Sequence, residues 1–144
     1  MNPLISRFRP TEKGLSQILG ELEADIMEII WAKEESVSVR DVLSELRKTR
    51  EIAYTTVMTV MSRLNKKGLI VCNKFHKGQA FIYSSVFSKE EFTKNTVKSV
   101  LKGLLSSFSD IAVTQFVNEL ANDQKSLKQL QKLIKERLGN EKQA

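Results

Sequence analysis

The sequence is poor in the residues that most chemistry needs. It has one cysteine and one histidine among 144 residues. Cys72 alone cannot close an internal disulfide, and its use suits a reducing, cytoplasmic setting. Cys72 and His76 are too few soft ligands for a closed zinc site, so no metal or cofactor is expected. They lie four apart in a segment that reads as strand and turn, where that spacing does not give a shared face. Cys72 reads as a small buried hydrophobe rather than a reactive thiol. Paired acid and base, Gly-rich phosphate loop and nucleophile–histidine arrangement are all missing, which argues against an enzyme. No apolar run approaches the ~18–20 residues that span a bilayer. The first seventeen residues are interrupted by Pro3, Arg7, Arg9 and Pro10 and lack the apolar core of a secretory signal.

The most informative shortage is of negative charge. The chain carries 23 Lys and Arg against 17 Asp and Glu, for a net charge of +6. No acidic residue occurs between Glu51 and Glu90, whereas Arg63, Lys66, Lys67, Lys74, Lys77 and Lys89 fall inside that interval. Those six bases equal the whole net charge, and the remainder is balanced. A basic region concentrated in about a quarter of a soluble chain suggests a polyanionic partner, most commonly nucleic acid.

Periodicity organises the rest. Residues 1–17 read as a mobile arm with no clear period, in which Arg7 and Arg9 either enter a minor groove or remain a disordered tail. Leu19, Leu22, Ile26, Ile29 and Ile30 recur at helical spacing, with Trp31 closing the helix. Ser38 and Asp41 resemble a capping box that opens a second helix on Val39, Val42, Leu43 and Leu46. A third helix is predicted over 54–67. Val57, Val60, Met61 and Leu64 fall on one face of it, and Gly68 ends it. Its opposite face is centred on Thr55, Thr59, Ser62 and Lys66, flanked by Thr56, Met58 and Arg63. Leu69–Phe75 and Gln79–Ser85 read as two strands joined by the His76-Lys77-Gly78 turn.

A second capping box, Ser88 to Glu91, opens three further amphipathic helices, the last ending at Gly139. About 55 residues of this kind cannot cover their own apolar faces, so a second copy is expected to do so, with an ordinary monomeric core as the alternative. The candidate dimer residues are Val97, Val100, Leu101, Leu104, Leu105, Phe108, Ile111, Phe116, Val117, Leu120, Leu130 and Ile134.

The fold expected is mainly α. It comprises an arm (1–17), a winged helix-turn-helix domain of three helices and a β-hairpin wing (18–86), a helical dimerisation domain (87–139) and a tail (140–144). In such a domain the third helix enters the major groove. Tyr54, Thr55, Thr56, Thr59, Ser62, Arg63, Lys66 and Lys67 are its candidate DNA contacts, with Lys74, His76 and Lys77 from the wing. The threonine methyls can pack on thymine, Arg63 can pair with guanine or phosphate, and the lysines suit phosphate. Alternatives stay open for three groups: Thr55 and Thr56 can serve as helix caps, Lys66 and Lys67 can simply complement the helix dipole, and Lys77 can be a solvated turn residue.

The stretches Leu19-Gly-Glu-Leu-Glu-Ala-Asp-Ile-Met-Glu-Ile-Ile-Trp31 and Ile52-Ala-Tyr-Thr-Thr-Val-Met-Thr-Val-Met-Ser-Arg-Leu-Asn-Lys-Lys-Gly68, with Gly78, Phe81 and Tyr83, resemble the penicillinase-repressor (BlaI/MecI) family of bacterial transcription regulators. The resemblance implies a homodimeric repressor of double-stranded DNA whose operator is a short inverted repeat. It also implies release through a membrane sensor peptidase and cleavage at an Asn-Phe pair. Thr96 to Phe108 contains no such pair, and Gly139 to Ala144 lacks the C-x-C motif of the copper-responsive branch. The alternative function is a winged-helix interaction module that uses the same basic surface on an acidic protein.

Overall fold

The computed structural model describes residues 8–73 and 81–143 of the chain. The element order is α1 (Glu21–Lys33), β1 (Val37–Ser38), α2 (Val39–Leu46), α3 (Tyr54–Lys66), β2 (Ile70–Asn73), β3 (Ile82–Ser85), α4 (Lys89–Leu120) and α5 (Gln124–Gln143). The three strands form one antiparallel sheet in the order β1-β3-β2. Three helices followed by a β2–β3 hairpin make the first part of the chain a winged helix-turn-helix, and the chain as a whole is mainly α.

The apolar periods choose the core. Ile26, Met27 and Ile30 from α1, Val42 and Leu46 from α2, and Val57, Met61 and Leu64 from α3 are buried together with Leu69, Ile70 and Tyr83 of the hairpin. Ser38 caps α2 as its sequence suggests. Its hydroxyl accepts from Asp41 N at 3.1 Å, and Asp41 Oδ2 accepts from Ser38 N at 2.8 Å. The turn between α2 and α3 is closed by Arg47, whose Nε donates to the Ile52 carbonyl at 3.2 Å. Gly68, at φ +83°, ends α3. Leu69 N returns to Leu64 O and Gly68 N to Asn65 O, both at 3.1 Å, the paired bonds of a Schellman stop that needs a left-handed residue.

Several expectations change. Residues 9–17, expected to lie in an arm with no regular structure, form a hydrogen-bonded turn. Arg9 N donates to Gln17 O at 2.6 Å, and its Nη1 donates to Leu19 O at 2.9 Å. A 3-10 turn over Gly14–Gln17 then lays Leu15 and Ile18 against the core. Arg9 is thereby engaged with backbone carbonyls rather than offered to a groove. Helix α1 runs past Trp31 to Lys33 and stops at Glu34, which adopts φ +54°. Trp31 instead serves as an anchor. Its indole N–H donates to Phe87 O at 2.9 Å, and its ring lies 5.7 Å from that of the buried Phe92. The compact unit that holds the winged helix accordingly extends to Ser99, past the 86/87 boundary expected from sequence, because Phe92 and Thr96 of α4 are buried in it.

The second compact unit begins at Val100. Phe108 departs from helical geometry (φ −136°, ψ 37°), so α4 is two helices meeting at a kink. With α5 this gives the three helices read from sequence. Asp123 opens α5 by accepting from Lys125 N at 3.1 Å and from the Ser126 hydroxyl. The last helix does not end at Gly139 but continues to Gln143. A glycine in a helix costs about 1 kcal/mol relative to alanine and does not by itself reverse the chain. None of residues 100–140 is buried. Leu101, Leu104, Leu105, Phe108, Ile111, Phe116, Val117 and Ile134 are each more than 40% exposed, an apolar surface far larger than scattered single residues. No described helix is long and apolar enough to cross a membrane.

Candidate nucleic-acid interface

Burial of Val57, Val60, Met61 and Leu64 fixes the rotation of α3. The other face is therefore turned to solvent: Tyr54, Thr55, Thr56, Met58, Thr59, Ser62, Arg63 and Lys66 are all exposed. The α3 N-cap is Ala53, which has no side-chain hydrogen bond, so Thr55 and Thr56 lie within the first turn and do not cap it. The Thr59 hydroxyl donates to Thr55 O at 2.8 Å. That bond occupies its only hydrogen and leaves the methyl group and the two oxygen lone pairs for a partner.

A concave space of about 610 Å³ runs along this face. Tyr54, Met58, Thr59, Ser62, Arg63 and Lys66 line it from α3, Ser38, Val39 and Arg40 from the start of α2, and Phe81 and Tyr83 from the return strand. Among the described residues three cations and no carboxylate face the space. Burial, followed by the neighbouring Cys72 and Tyr54, raises the Tyr83 hydroxyl above its ordinary pKa, so Tyr83 forms a neutral wall. Cys72 lies opposite Tyr83 in the β2–β3 register and is half-buried against the core. Among the described residues no group of three or more His, Cys, Asp or Glu is placed to hold a metal.

The structure thus gathers Tyr54, Thr59, Ser62, Arg63 and Lys66 into one surface, with Thr55 and Thr56 exposed on the first turn beside it. It separates Lys67. The Lys67 ammonium bonds Glu23 Oε2 at 2.7 Å, with both side chains largely buried, because α1 packs against α3. Lys89, also counted in the acid-free stretch, pairs with Glu28 at 2.8 Å. Lys74, His76 and Lys77 lie outside the described residues. Arg40 and Phe81 line the concavity but were not among the sequence candidates. Arg40 precedes Asp41 and falls outside the acid-free stretch, so charge counting passes over it. The available signal was its place in the first turn of the helix that precedes α3.

The family described as Penicillinase repressor matches residues 19–136. The chain is 34% identical over 107 residues to the transcriptional regulator BlaI of Mycobacterium tuberculosis, covering 74% of this chain and 76% of that protein. It is 28% identical over 112 residues to the penicillinase repressor of Staphylococcus aureus, covering 78% and 86%. Among solved structures, the solution structure of the DNA-binding domain of the repressor BlaI is 30% identical, with a TM-score of 0.44, covering 56% of this chain and 93% of that one.

Proposed function

This chain belongs to the penicillinase-repressor family of DNA-binding transcriptional repressors, which are not enzymes, and we propose that it acts as a cytoplasmic homodimer on an inverted-repeat operator. Helix α3 enters the major groove of each half-site. Thr59, Ser62 and Arg63 meet base edges, and Thr55 and Thr56 lie at the groove entrance. Lys66 and the wing residues Lys74, His76 and Lys77 meet phosphate, which sets affinity and register rather than sequence. The helices of residues 100–143 pair the two copies, and two-fold protein symmetry demands the symmetric operator.

The observation that carries the reading is the outward face of α3, which is exposed, rich in hydroxyls and free of acid along a concave surface. The dimer is supported by the absence of any buried residue between 100 and 140 beside so many exposed apolar side chains. Binding of duplex DNA measured against salt tests the DNA reading. A log–log slope of about −0.9 per neutralised phosphate is expected, and affinity indifferent to salt contradicts it.

A further inference from the structure

One cation at the concave surface comes from neither α3 nor the wing. Arg40 is exposed, and its guanidinium carbon lies 5.7 Å from the centre of the Tyr54 ring. That distance is within the range where a guanidinium is attracted to an aromatic face. Asp41, the acid next to it in sequence, is engaged with the backbone N–H of Ser38, and among the described residues Arg40 has no ion-pair partner. A guanidinium that rests on a ring keeps its N–H edge free, and that planar edge suits phosphate oxygens. Arg40 lines the concavity beside Tyr54, where the starts of α2 and α3 meet, whereas Thr59, Ser62 and Arg63 lie further along α3.

We propose that Arg40 is a DNA-backbone contact supplied by α2, and that Tyr54 is its positioning residue, holding the guanidinium toward a phosphate at the edge of the groove. This rests on the reading of α3 as the groove-binding helix. Tyr54 then works through its ring, and neither residue reads sequence.

The test uses the full chain with its selected operator and an unrelated duplex, each titrated across salt concentrations. Arg40→Ala is expected to weaken both duplexes to a similar degree, about tenfold for a lost charge-assisted bond, and to reduce the salt slope by about 0.9. Tyr54→Phe retains binding. Tyr54→Ala weakens it as Arg40→Ala does, and the double variant is no weaker than Arg40→Ala alone. Thermal unfolding at the wild-type temperature shows that the exposed substitutions leave the fold intact. An unchanged slope in Arg40→Ala, a loss confined to the operator, or a Tyr54→Phe defect as large as that of Tyr54→Ala overturns the assignment while leaving the α3 reading in place. Failure of the unaltered chain to bind any duplex overturns both.

Discussion

Lys67 Nζ lies 2.7 Å from Glu23 Oε2, an ion pair that joins the end of α3 to the first turn of α1. Gly20 gives the carboxylate room, since a Cβ there would approach Glu23 Oε1 to 3.3 Å. The pair is largely buried, so removing one partner leaves the other charge uncompensated. Lys67→Met is expected to lower unfolding free energy by about 1–3 kcal/mol in a denaturant titration. The salt slope of DNA binding should stay unchanged. Lys66→Met should do the reverse: little change in stability and a slope smaller by about 0.9. That pair of outcomes would separate a structural lysine from a DNA-facing one.

Thr59 gives a sharper test than truncation to alanine. Its hydroxyl hydrogen is held by Thr55 O, so its methyl is the group best placed to discriminate. Thr59→Val should retain most of the preference for operator over random DNA. Thr59→Ser should lose about 1 kcal/mol of it, measured as the ratio of the two dissociation constants, since a thymine-methyl contact is lost. The opposite ranking would mean that the hydroxyl, freed from the helix, is the reading group.

The capping box of α2 makes stability depend on pH in a defined direction. The Ser38 backbone N–H, then its hydroxyl, hold the Asp41 carboxyl below its ordinary pKa. A depressed carboxyl contributes stability above the unfolded value, about 3.9 for aspartate, and loses it as pH falls through the folded value. Asp41→Asn should therefore melt lower than wild type at neutral pH, and the two should converge in acid below the aspartate range. Ser38→Ala should cost about 1 kcal/mol at neutral pH.

The exposed apolar residues of the second unit predict an assembly. Leu104 and Phe116 line one apolar concavity there, and both are close to half exposed. Leu104→Asp should shift a dimer toward monomer in sedimentation at micromolar concentration, because an unpaired charge in such a surface costs several kcal/mol. A wild-type monomer under those conditions contradicts the dimer.

The face of α3 was legible in the sequence because one local rule decides it. Four apolar residues at helical spacing fix which side is inward, and the threonines, Ser62, Arg63 and Lys66 follow on the other. The caps at Ser38 and Ser88 were legible for the same reason. Lys67 was not, since its partner stands 44 residues earlier and meets it only when α1 packs against α3. Arg9 looked like part of a free arm because nothing local predicts a bond to the Leu19 carbonyl. Arg40 was hidden by its acidic neighbour, whose charge is committed to a cap. The break between the first two C-terminal helices was legible from the change of apolar period near Phe108, where the structure puts the kink, although no glycine or proline stands there to announce it.

Selection of bound sites from random duplex DNA by the purified protein tests the central claim most directly. The expected result is enrichment of one inverted repeat whose half-sites lie about one helical turn apart, or a multiple of it, centre to centre. Arg63→Ala should lose that enrichment. Recovery of no common sequence, or of a single asymmetric site, would contradict a dimer that reads DNA through α3.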